Sequence, residues 1–280
     1  MITPFFSIII PTYNRKDFLP IAMESVIEQT FSDYELIIVD DGSTDGTKKA
    51  VNKLNDPRIN KQIKYFWQPH EGVSAARNKG IKESRGGHIC FLDSDDRFRQ
   101  DKLQVTHDCI KKNPEYKIFH TEEIWYRSGE LLPQKIYHKK PHGWIFRHAL
   151  KLCCISPSTV TIGKDVFKEI GNFDTNLPVC EDYDLWLRAA LKFPVFLIPE
   201  PLTIKEGGHA DQQSKKYPAM DTFRIYALKK ILQNGNLTKE NYSLAAEELR
   251  NKCSIYIQGA RKRAKHSEVK KYQELLNQFT

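Results

Sequence analysis

His88-Ile89-Cys90-Phe91-Leu92 runs directly into Asp93-Ser94-Asp95-Asp96. A short apolar run followed by an acidic cluster reads as a buried strand and the loop at its carboxyl end. Three similar runs precede it, at residues 6–10, 35–39 and 63–67, all rich in Ile, Val or aromatic side chains. Between them, residues 19–29, 47–54 and 74–84 have helical spacing and turn residues at their edges. This alternation predicts an α/β fold: a mainly parallel central sheet flanked by helices in the Rossmann-like manner. Such sheets bind ligands beyond the carboxyl ends of their strands. The polar clusters lie there: Pro11-Thr12-Tyr13-Asn14 after the first strand, Asp40-Asp41-Gly42-Ser43 after the second, and the acidic run after the fourth.

Three carboxylates within four residues repel one another unless a cation sits among them. Mg²⁺ or Mn²⁺ suits hard oxygen ligands and keeps substrate phosphates in its shell. The other reading of the same run is an acidic turn capping a helix that begins near Lys102. No GxG fingerprint, GxxxxGK[ST] loop or GxSxG elbow occurs in the chain.

Composition narrows the class further. The 280 residues are 40% hydrophobic and 11% aromatic, with a mean hydropathy of -0.54. That supports one sizeable core and excludes a disordered or collagen-like chain. The longest apolar runs are too short to cross a bilayer, and the N-terminus is expected to begin a strand and not a signal peptide. Six cysteines without CxxC spacing are then expected as reduced thiols of a cytoplasmic protein, and not as a zinc or redox site. The net charge of +8 is concentrated in residues 221–280, which hold 12 Lys or Arg against 6 Asp or Glu. The remaining 220 residues carry 31 against 29. Residues 1–220 are therefore expected as the catalytic domain and 221–280 as a basic, helical C-terminal extension. In that extension Leu249, Cys253, Ile257 and Ala260 recur at helical spacing, just before Arg261, Lys262, Arg263 and Lys265. Those cations form either a solvated face or a peripheral contact with the inner face of a membrane.

Five blocks together are similar to the family 2 glycosyltransferases of GT-A fold: SIIIPTYNR (7–15), VDDGSTDGT (39–47), GVSAARNKG (72–80), FLDSDD (91–96) and EDYDLWLR (181–188). The match spans roughly residues 5–210, in the family's order. The resemblance implies inverting transfer from a nucleotide-diphosphate sugar, with a leaning to uridine, assisted by a divalent metal. The acceptor is a hydroxyl of a glycan or a lipid-linked molecule. Pro11, Thr12, Tyr13 and Arg15 would dock the base or diphosphate, and Asp41 would accept the pyrimidine N3–H unless it only closes an Asx turn. Arg77 would pair with a diphosphate oxygen. Asp95 would ligate the metal, Asp93 with Ser94 would face ribose or metal-bound water, and Asp96 could stand in for Asp95. Asp182 would be the base that takes the acceptor proton, with Glu181 and Asp184 orienting neighbours or touching sugar hydroxyls. Acids in a first helical turn also complement the macrodipole without any catalytic role. His209, between Gly207-Gly208 and Asp211, would be a third metal ligand on a closing loop. A sugar nucleotidyltransferase has a related sheet, but that class places a Gly-rich basic loop where PTYNR stands here. A basic nucleic-acid-binding module would use the aromatics between 125 and 144, against which the near-neutral body argues.

Overall fold

The computed structural model describes residues 3–54, 63–133, 139–208, 217, 219–234 and 236–279. Its first half alternates as expected: β1 (Phe6–Thr12), α1 (Leu19–Ile27), β2 (Tyr34–Asp40), α2 (Thr47–Leu54), β3 (Ile63–Trp67), α3 (Val73–Glu83) and β4 (His88–Phe91). These strands lie parallel in the order β3-β2-β1-β4. Every residue of β1 and β2 is buried, because helices cover both faces of a parallel sheet. The two-residue period then divides each strand between two cores. Ile9, Ile37, Val39 and Phe91 join one cluster, while Ile8, Ile10, Leu36, Ile38 and Cys90 join the other. Helix α3 rides so close to β1 that a Cβ on Gly80 would collide with the Ile9 side chain.

The second half changes character. It comprises β5 (Asp96–Phe98), α4 (Lys102–Lys112), β6 (Ile118–Arg127), β7 (Glu130–Leu132), α5 (Phe146–Lys151), a 3₁₀ turn at Pro157–Thr159, β8 (Val160–Gly163), α6 (Val166–Ile170), α7 (Glu181–Ala190) and β9 (Val195–Gly207). The sheet continues as β4-β8-β6-β9-β5, with β7 hanging on β6. Here β8 runs antiparallel to both neighbours, β6 and β9 are parallel, and β5 is antiparallel to β9. Among the described residues, nine strands thus form one mixed sheet.

Pro199-Glu200-Pro201 reads in the sequence as the end of a strand, yet β9 continues through it to Gly207. The ladder slips at that point: Thr121 faces Ile198, but Glu122 faces Pro201 and Glu123 faces Thr203. Prolines cannot donate to the ladder, so the strand bulges around them and resumes. The resumed portion brings Lys205 opposite Asp96.

Three further helices follow: α8 (Asp221–Asn234), α9 (Lys239–Lys262) and α10 (His266–Asn277). Thr238 caps α9, its Oγ1 accepting from the Asn241 N–H at 3.1 Å. Leu249, Cys253, Ile257 and Ala260 are buried in the cluster that also holds Leu150, Tyr183 and Trp186. No helix among the described residues is long and apolar enough to cross a membrane.

Candidate active site

The loops after β1 and β2 are laced together at the carboxyl end of the sheet. The Asn14 N–H donates to Ser43 Oγ at 2.8 Å, the Thr44 N–H returns a bond to Asn14 Oδ1 at 2.8 Å, and the Arg15 N–H donates to Thr47 Oγ1 at 3.1 Å. The Asx turn forms at Asp40 and not at Asp41: Asp40 accepts from the Ser43 N–H at 2.8 Å and from the Tyr65 hydroxyl at 2.6 Å. Asp41 is thereby released from the turn. Its Oδ1 accepts from Gln68 Nε2 at 2.6 Å and from the Glu71 N–H at 3.0 Å, and its Oδ2 from the Gly72 N–H at 2.8 Å. His70 Nδ1 lies 2.7 Å from that same Oδ2, which fills the four acceptor positions of a carboxylate. The His70 ring also stacks on Tyr13, centroids 3.9 Å apart and planes at 17°. Gly42 permits this approach: it adopts φ +86°, and a Cβ there would sit 2.9 Å from the His70 backbone nitrogen. Thr12 Oγ1 is buried and has no hydrogen-bond partner among the described residues.

The acidic run after β4 divides into three different environments. Asp93 accepts from Arg77 Nη2 at 2.8 Å, with Lys205 Nζ 4.0 Å from its other oxygen. Burial opposes its charge, but the Arg77 and Lys205 cations outweigh that cost and hold the carboxyl below its ordinary value. Asp96 begins β5 and is buried, its Oδ2 accepting from Ser158 Oγ at 2.6 Å and Lys205 Nζ at 2.9 Å. Burial pushes it up to about 7 against the pull of Lys205, with Asp93 and Asp95 adding to the rise. Asp95 is half-buried, and no donor from another residue contacts its carboxylate among the described residues. Burial and the Asp93 charge raise its pKa, and the more distant Lys205 and Arg15 only moderate the effect.

A cation fits this arrangement at Asp95. Its carboxylate lacks a partner and is crowded by Asp93, whose second oxygen is only loosely engaged by Lys205. Two carboxylates with open positions suit an ion that takes its remaining ligands from diphosphate and water. No group of three ligating side chains occurs among the described residues. Asp96 is corrected here: Ser158 and Lys205 already hold its buried carboxylate, so it does not substitute for Asp95. His209 lies outside the described residues.

Helix α7 supplies the second acidic group. It starts from Cys180 in the left-handed region at φ +61°, a conformation that is costly for a side chain other than glycine. Glu181 is buried and accepts from Arg77 Nη1. Burial pushes it up to about 7, opposed by Arg77 and reinforced by Asp182. Asp182 stands half-buried beside it, accepting from the Tyr183 N–H at 2.7 Å and from the Cys153 thiol at 3.1 Å. Asp184 points elsewhere. It is 1% exposed and is held by Arg188 Nη2 at 2.7 Å and Lys230 Nζ at 3.0 Å.

These contacts place three of the expected site residues. Arg77 does not present its fork to an open diphosphate site: the guanidinium is buried between Asp93 and Glu181, over the Phe173 ring. Glu181 is turned to Arg77, and Asp184 ties α7 to α8, so both hold neighbouring side chains. The sequence reading also missed His70, Lys205, Ser158 and Cys153. The first two lie in or beside motifs that were noticed, but only the strand pairing shows what they touch.

A parallel half-sheet ending in nucleotide-site loops and an acidic run, continued as a mixed sheet that carries a second acidic helix start, defines the GT-A class of α/β proteins. Residues 7–152 match the model of glycosyl transferase family 2. The chain belongs to that family. It is 33% identical over 214 residues to an uncharacterised glycosyltransferase of Rickettsia felis, covering 75% of this chain and 35% of the relative. It therefore spans about a third of the length of the curated relatives it matches first. Staphylococcus aureus TarS, residues 1–349 in complex with UDP-GlcNAc, superposes with a TM-score of 0.73 at 22% identity, covering 88% of this chain and 72% of that one. The mannosyltransferase PcManGT of Pyrobaculum calidifontis, in complex with GDP-Man and Mn²⁺, gives 0.65 at 14% identity, covering 100% and 85%.

Proposed function

We propose that this chain transfers a sugar from a uridine-diphosphate sugar to a hydroxyl of a glycan or lipid-linked acceptor, with inversion. The observation that carries this reading is the seam formed by Arg77, which joins Asp93 of the donor loop to Glu181 at the start of α7. That seam links the loop that carries Asp95 to the helix start that carries the half-buried Asp182. Once His70 withdraws from Tyr13 and Asp41 Oδ2, Tyr13, Thr12 and Asp41 would offer a ring face, a hydroxyl and a carboxylate to a pyrimidine, beside Pro11 and Arg15. The UDP and UDP-GlcNAc held by the TarS structures support the uridine assignment.

A divalent cation at Asp95 and Asp93 would neutralise the negative charge developing on the departing diphosphate. The chain's own residues do the rest. Arg77 and Lys205 keep Asp93 ionised, Glu181 holds α7 against the donor loop, and Asp182 takes the proton from the attacking hydroxyl. His209 is proposed as a further ligand to that cation. Residues 1–220 are proposed to carry the chemistry, with 221–280 as an extension whose exposed Arg261, Lys262, Arg263 and Lys265 contact an anionic membrane surface at its cytoplasmic face.

Asp182→Asn tests the assignment. Transfer should fall by ~10²–10⁴-fold, the contribution of a positioned general base, while UDP-sugar binding stays within about twofold. Near-native turnover would reduce Asp182 to a helix-start acid.

A further inference from the structure

Residues 131–164 contain no Asp or Glu, although one residue in eight of the whole chain is acidic. Six Lys or Arg fall in the same stretch: Lys135, Lys139, Lys140, Arg147, Lys151 and Lys164. Two of these are used inside the fold. Lys140 is buried beside Glu123, 3.4 Å away, and Lys164 donates to the Ser84 carbonyl. The middle of the stretch is different. Trp144 is 67% exposed and Leu152 49%, and Arg147, His148 and Lys151 are exposed on α5. None of these three makes an ion pair among the described residues.

The placement of α5 gives this face a direction. Phe146, Ala149 and Leu150 turn into the core, so 147, 148, 151 and 152 share the opposite side. The Leu150 carbonyl accepts from the Tyr183 hydroxyl at 2.6 Å, which locks α5 to the first turn of α7. Cys153, the next residue after Leu152, then donates to Asp182 at 3.1 Å. The cationic face therefore ends on the carboxylate proposed as the base. Cations in the last turn also complement a helix dipole. That effect accounts neither for an exposed indole in front of the helix nor for a stretch from which every acid is missing.

We infer that this face receives the acceptor, and that the acceptor is a soluble polyanionic glycan. Its phosphate or carboxylate groups would meet Arg147 and Lys151, and a sugar ring would lie on Trp144. A guanidinium matches such oxyanions in a two-pronged geometry, and an indole adds a broad apolar face. The inference rests on Asp182 being the base only for the direction in which the chain is presented.

The 280-residue chain, saturated with UDP to close the donor site, is titrated with inorganic polyphosphate, neutral dextran and anionic phospholipid vesicles. Polyphosphate should bind with an affinity that weakens as salt is added, and Arg147→Glu/Lys151→Glu should weaken it at least tenfold. The UDP-induced thermal shift of that variant certifies its fold, and Arg147→Gln/Lys151→Gln should show a smaller loss in the same direction. Lys82→Glu/Lys112→Glu, at exposed positions on α3 and α4, should bind polyphosphate like the wild type. Equal binding by the wild type and the Arg147/Lys151 variants overturns the inference. So does dextran binding as tight as polyphosphate, or vesicle binding that depends on Arg147 and Lys151 and is not displaced by polyphosphate. Asp182→Asn, run alongside, should bind polyphosphate normally. If it retained transfer, the base assignment would fail while the polyphosphate result still decided the role of α5.

Discussion

The half of the sheet from β1 to β4, proposed as the donor half, and the half beyond β4, proposed as the acceptor half, treat their polar groups differently. Between β1 and β4 the carboxylates at the strand ends are satisfied by neighbouring segments, as where Asp41 collects Gln68, Glu71 and Gly72 just after β3. Beyond β4 several acids depend on a residue delivered from far along the chain. Asp96 is held by Lys205, Glu181 by Arg77 and Asp182 by Cys153. Strand-end position thus gathers the loops of the first half, whereas long-range pairing sets the charge and orientation of the acids in the second. Arg77 is where the two halves meet.

The hardest blow to that division should come from Arg77→Met. It leaves Asp93 and Glu181 without their shared cation, and removing one partner from a buried pair costs about 3–5 kcal/mol. Denaturant unfolding should show the loss, and a change under about 1 kcal/mol would mean that the halves are not joined there.

Within the donor half, Glu35 offers a comparison confined to one end of the sheet. Burial opposes its charge, but Lys64, Ser7 and Arg85 prevail and hold it down at about 2. A carboxyl lowered in the folded state stabilises above its unfolded value and loses that contribution as pH falls through the folded one. Stability should therefore decline between about pH 4.5 and 2. With the half-exposed Lys64 and Arg85 screened by solvent, the span is roughly 2 kcal/mol. Glu35→Gln should remove that share of the acid sensitivity, and an unchanged pH profile would refute it.

A smaller effect is expected at Cys153 in the acceptor half. Cys153→Val keeps the volume but loses the donor, and should lower kcat about tenfold, the worth of one hydrogen bond at a reacting group. Donor affinity should not move, and Cys153→Ser should restore most of the rate. If Val performs as well as Ser, the thiol only packs. The mildest change should follow His70→Ala. The imidazole now covers Tyr13 and occupies Asp41 Oδ2, so its removal should tighten UDP by roughly threefold in calorimetry. Weaker UDP binding would make His70 a contact and not a competitor.

Legibility followed the same divide. The four parallel strands and their helices are readable because apolar period and turn residues act locally, and their ends agree with the sequence to within a few residues. The Asx turn was legible as a motif but not as a residue: only the lacing of Asn14 to Ser43 assigns it to Asp40. Lys205 could have been suspected as a cation in a strand-like stretch, but the prolines before it concealed that β9 resumes. The contacts of Arg77 and Asp184 are not legible in the sequence, because each is drawn into the interior by a charge from a distant element.

By itself the sequence determined the alternating half-sheet, the position of the strand-end loops and the family to which these blocks belong. The first two follow from periodicity and spacing over a few residues, and the family from the resemblance of five sequence blocks. Only the tertiary structure decided which carboxylate of the Asp93-Asp95-Asp96 run stays unpartnered, which residue bridges to α7, and where the acid-free stretch comes to rest. Those outcomes turn on which charges meet after burial. Desolvation makes each such meeting decisive, and the linear order of residues does not specify it.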